Sequence, residues 1–177
     1  MPDITEKNRN KWRKFVRRNL LLYLIPNVTL NTLIPYFALQ TQTSVHLFTG
    51  EQNLARFLLP MSLLLPFLIT IDVCKKIKAL QNNENLHFEC SDILEGKAKM
   101  FRLAGLHSLY TVAVMVLVLV LLYVSFPVNF NFGIIFSAAF ACSLAGFYSI
   151  AFFFLSLKKI REIPMKAVEE DFKKKLN

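Results

Sequence analysis

The sequence predicts an all-α polytopic membrane protein, with four transmembrane helices arranged as two hairpins and both termini in the cytoplasm. Three observations carry this expectation. Four apolar segments reach the length of about 20 residues that a helix needs to cross a hydrocarbon core of roughly 30 Å. The composition is 54% hydrophobic, with 17 Phe among 177 residues, beyond the apolar share of a soluble domain. The Lys and Arg residues cluster between those segments rather than within them.

The expected spans are 20–39, 54–73, 103–126 and 132–157. Around them lie a basic flank at 1–19, a loop at 74–102 and a tail at 158–177, all within one membrane domain. Of the 21 Lys and Arg, seven precede the first span, six lie in the loop and seven follow the last span. Only Arg56 falls elsewhere. The positive-inside rule then places both termini and the central loop in the cytoplasm. A charge of +9 alone would raise the question of nucleic acid. Cations set beside apolar runs fit anionic headgroups instead, so no nucleic-acid partner is expected. The first span follows a basic flank as a signal peptide would. It lacks a small-x-small cleavage site and three further spans follow, so it is expected to be retained.

The flank Lys11-Trp12-Arg13-Lys14-Phe15-Val16-Arg17-Arg18 interleaves aromatics and cations, as an interfacial anchor does. In the first span Tyr23, Asn27 and Asn31 share one helix face, with Thr32 beside them. Hydrocarbon offers an amide no partner, so each Asn is expected to bond a neighbouring helix or to line a polar path. Pro26 and Pro35 bracket the pair and are expected to kink the helix, as is Pro66 near the middle of the second span. Arg56 and Asp72 sit near the ends of that span, Asp72 one turn before Lys76.

The loop carries His87, Glu89, Cys90 and Asp92, donor types without the paired spacing of a zinc site. In the third span His107 and Thr111 share a face, where a hydrogen-bonded His is the simpler reading than a proton relay. In the fourth span Phe132, Phe136, Phe140, Phe147 and Phe154 form one stripe. Ala138, Cys142, Ala145 and Ser149 form the opposite face, where small side chains let helix backbones approach. The tail after Pro164 spaces Met165, Val168, Phe172 and Leu176 as an amphipathic helix would. The stretches from Arg18 to Lys75 and from Arg102 to Lys158 are nearly equal in length and end in similar basic runs. Any two-helix hairpin with basic flanks has this form, so duplication is not needed to explain it.

Three widely spaced cysteines, Cys74, Cys90 and Cys142, argue for reduced thiols rather than disulfides. No convergent set of nucleophile, acid–base residue or metal ligand is present in the pattern, so no enzyme activity and no cofactor are expected. The favoured functional expectation is an oligomeric transport or channel-like subunit of the bacterial inner membrane, built around the polar first span. The alternative is a non-catalytic interaction, accessory or immunity-type protein acting through its helix faces and tails. Expected partners are the lipid bilayer, with anionic headgroups at the basic flanks, and a second copy or another membrane protein.

Overall fold

The computed structural model describes residues 4–42, 44–84 and 96–161. Among these residues the chain is all-helical, and no strand occurs. The helices are α1 (Ile4–Leu39), α2 (Leu54–Glu84), α3 (Lys97–Ser125) and α4 (Ile134–Arg161). Within them Lys11–Leu39, Leu54–Leu80, Lys97–Ser125 and Ile134–Lys158 are each long and apolar enough to span a membrane. This is a multi-pass membrane protein.

The helices run past the apolar segments at several ends. α1 continues back through the basic flank, and α2 continues through Lys75, Lys76 and Lys78. Each added residue closes one more backbone bond once a helix is nucleated, and Lys, Leu and Ala all propagate helix well. His87, Glu89, Cys90 and Asp92 of the central loop lie outside the described residues, as does the tail from Met165 onward.

α2 and α4 form the centre of the bundle, with α1 resting on α4 and α3 resting on α2. Burial follows this order. Half of the α2 apolar window is enclosed by protein, against 11% for α1. The aliphatic side chains Leu21, Leu22, Ile25, Leu30 and Ile34 of α1 are therefore exposed, which suits a helix bathed in lipid. α4 meets α1 at Gly146 and Ser149, beside a face of small residues. Ala138, Ala145 and Ser149 are buried and Cys142 is half-buried; of the Phe stripe, Phe136, Phe147 and Phe154 are exposed, Phe140 is half-buried, and Phe132, which precedes α4, is buried. A Cβ on Gly146 would stand 3.4 Å from Val28 Cγ2, at ordinary van der Waals distance, so α1 and α4 lie close here with room for one carbon and no more.

The two connections at 40–53 and 126–133 are stitched together. The Phe132 amide donates to the Val45 carbonyl at 2.9 Å, and the Val45 amide donates to Asn131 Oδ1 at 2.9 Å. His46 Nδ1 lies 3.1 Å from the Phe130 carbonyl. Asn53 caps α2, accepting from the Arg56 amide at 3.1 Å, while the Leu54 and Ala55 amides donate to the His46 and Leu47 carbonyls. Gly133, at a φ of 68°, turns the chain into α4.

Candidate functional site

α1 and α2 stay continuous through their prolines, Pro26 and Pro35 in α1 and Pro60 and Pro66 in α2. Proline removes one helical bond and crowds the preceding turn, and in a membrane a neighbouring hydroxyl can take up the loosened carbonyl. Near Pro66, whose missing N–H would have served the Ser62 carbonyl, Ser108 of α3 bonds the carbonyl next along. Its hydroxyl donates to the Leu63 carbonyl at 2.6 Å, tying α3 to the proline turn of α2.

The polar side chains of α1 divide between two neighbours. Tyr23 is buried, and its hydroxyl donates to Asp72 Oδ2 at 2.7 Å. Lys76 Nζ lies 2.7 Å from the same carboxylate, donates to the Tyr23 hydroxyl at 3.1 Å, and stands 4.6 Å from the centre of the Tyr23 ring. Asp72 is thus bonded to Tyr23 as well as to its own-helix lysine, and the cluster closes α1 onto α2 at this level. One turn further along, Asn27 turns to α4, where its amide donates to Ser149 Oγ at 3.0 Å. Ser149 in turn donates to the Ala145 carbonyl at 2.8 Å, so its hydroxyl both gives and accepts. Asn31 donates back to the Asn27 carbonyl at 2.8 Å, and Thr32 to the Val28 carbonyl at 2.7 Å.

Above the Tyr23–Asp72 contact α1 and α2 stand apart. The space between them is a groove of about 310 Å³. Asn27, Asn31, Ile34 and Pro35 form one wall, α2 residues from Arg56 to Leu68 form the other, and Ala141 of α4 lies at its floor. Exposed Ile34, Leu64 and Leu68 stand along its rim, so it opens sideways from the bundle. At its outer end it adjoins a hollow of about 600 Å³ lined by Gln52, Asn53 and Leu59, and the two share Arg56, Phe57 and Pro60.

A second polar line crosses the core. Thr70 Oγ1 lies 2.9 Å from His107 Nδ1, and Ser156 Oγ donates to Thr70 Oγ1 at 3.4 Å. Thr70 and Ser156 are fully buried, so α2, α3 and α4 are joined by polar contacts in an otherwise apolar interior. His107 also meets the Phe152 ring in a tilted contact, 5.3 Å between ring centres.

Of the residues singled out from the sequence, Asn27, Asn31 and Pro35 line the groove, while Tyr23 lies at its closed end and Thr32 bonds within its own helix. Pro66 is buried in the core and Pro26 faces outward. Sequence reasoning passed over Arg56, Met61 and Leu64 as groove residues. Arg56 was the one signal within reach, because it is the sole cation outside the three basic clusters. Neither Cys74 nor Cys142 is in a disulfide. Among the described residues no group of three His, Cys, Asp or Glu side chains is placed to hold a metal ion.

The class defined by this architecture is a four-helix integral membrane protein with a laterally open groove between its first two helices. No protein-family model matches the sequence, and neither the curated proteins nor the solved structures contain a match to it.

Proposed function

We propose that this chain is a subunit of an oligomeric transport or channel-like assembly, and that the α1/α2 groove is its working surface. The carrying observation is the groove itself, with its amides at depth, apolar walls and one arginine at the mouth. It opens to the side of the bundle, so the solute it serves is one that reaches it from the lipid. The proposed orientation is two hairpins in a bacterial inner membrane with both termini cytoplasmic, which follows from the distribution of Lys and Arg. The single bundle has a packed centre in which Ser62, Thr70 and Ser156 are fully buried. Movement across the membrane would therefore run along the groove or between copies.

The interaction-protein reading draws on a different observation. Both Asn amides already donate within the chain, as groups serving only to hold helices together would. Reconstitution separates the two readings. In liposomes the chain is expected to speed transbilayer movement of a fluorescent amphiphile, and Met61→Trp, which fills the groove, is expected to abolish that gain. A folded chain without flux would favour the interaction reading.

A further inference from the structure

The groove has dimensions that limit its occupant. From Arg56 to Leu68 the α2 wall rises about 18 Å at 1.5 Å per residue, close to one leaflet of a hydrocarbon core of roughly 30 Å. Its volume of about 310 Å³ lies at the lower end for a small-molecule site. Three turns of helix about 10 Å across fill roughly 1,300 Å³, so a transmembrane helix does not fit within it. A single alkyl chain does.

The mouth of the groove is chemically distinct from its length. Arg56 is exposed and has no carboxylate partner among the described residues. One of its five N–H donors goes to the Glu51 carbonyl, which leaves the rest of the guanidinium for a second acceptor. The adjoining hollow beside Gln52 and Asn53 gives a headgroup room outside the groove. Deeper down, no buried side-chain nitrogen or oxygen among the described residues lacks a hydrogen-bond partner. The floor therefore asks for no polar solute, and an apolar chain can lie against it without orphaning a polar group.

We propose that the α1/α2 groove binds one acyl chain of an anionic phospholipid, with the phosphate at Arg56 and the chain along Phe57, Leu64 and Leu68. A planar guanidinium matches a phosphate through two parallel hydrogen bonds, and its charge selects anionic over zwitterionic headgroups. This assignment names the amphiphile for the transport reading above and rests on it only for the idea that the groove is the working surface.

The test is native mass spectrometry of the full chain released from nanodiscs of equal phosphatidylglycerol and phosphatidylcholine. The expected result is one retained lipid per chain, mostly phosphatidylglycerol. Arg56→Gln is expected to lower that preference about fivefold, the worth of one interfacial cation near an anionic surface, whereas Arg56→Lys keeps most of it. Leu64→Trp, on the exposed rim, is expected to block retention of either lipid. Equal retention of both lipids by the unaltered chain, or an undiminished preference in Arg56→Gln, overturns the proposal. So does cross-linking of the Leu64→Cys variant to a second chain with no lipid retained. Lipid binding without flux in liposomes leaves this site standing and removes only the transport reading.

Discussion

Replacing Asn27 by Leu and Ser149 by Ala, singly and together, isolates a direct hydrogen bond between side chains of α1 and α4. The bond is 3.0 Å long, and its acceptor is fully buried. The two single changes differ in what they leave behind. With Asn27→Leu, Ser149 still donates to the Ala145 carbonyl, so no buried donor is stranded. With Ser149→Ala, the Asn27 amide keeps its donors and loses the acceptor across the interface, so the serine change is expected to cost more. Side-chain hydrogen bonds between helices in a bilayer average about 0.6 and reach about 1.7 kcal/mol. A buried acceptor places this pair in the upper part of that range, so a coupling of about 1 kcal/mol is expected from the double-mutant cycle. Steric trapping of the unfolded chain in bicelles measures it as roughly a fivefold change in the unfolding equilibrium not accounted for by the two single changes. A coupling of less than about 0.3 kcal/mol, the additivity expected of separate sites, would mean that the two side chains do not meet.

Two further substitutions probe the packing around the groove. Gly146→Leu adds carbons where a Cβ already stands 3.4 Å from Val28 Cγ2, so thermal melting in detergent should show a loss of about 1–3 kcal/mol, while Gly146→Ala stays close to the parent. Ser108→Ala removes the donor to the Leu63 carbonyl in the Pro66 turn and is expected to cost about 1 kcal/mol in the same melt. A neutral Ser108→Ala would show that this contact with α3 contributes nothing to the fold.

The four helices were legible because length and apolarity suffice to define a membrane span, and neither depends on what lies next to it. The burial of Ala138, Ala145 and Ser149 opposite exposed Phe136, Phe147 and Phe154 follows from angular periodicity within one helix, which a sequence carries directly. The partner of each helix does not. Asn27 has to meet Ser149, 122 positions away, and Thr70 has to meet His107, 37 positions away. Nothing in either local pattern names the other. Asp72 illustrates the same limit. Its i,i+4 spacing to Lys76 foretells the ion pair, but the Tyr23 hydroxyl on the same carboxylate oxygen depends on how α1 lies against α2. Arg56 stood out by charge, yet its place at a groove mouth depends on the distance between two helices.

That distance is set by contacts outside the groove. α1 is drawn to α4 by Asn27–Ser149, by Gly146 and by the Tyr23–Phe153 ring contact at 5.7 Å. α2 is drawn to α3 by Ser108 at the Pro66 turn and by Thr70 at His107. The two walls are thus held by different neighbours, and the Tyr23–Asp72–Lys76 cluster joins them at one end. A groove of this kind persists because closing it would require α1 to leave the small face of α4 or α2 to leave α3. In either case polar bonds would be given up where the hydrocarbon offers no replacement. The amides of the first span therefore act on the groove twice, since Asn27 lines it and, through Ser149, keeps it open.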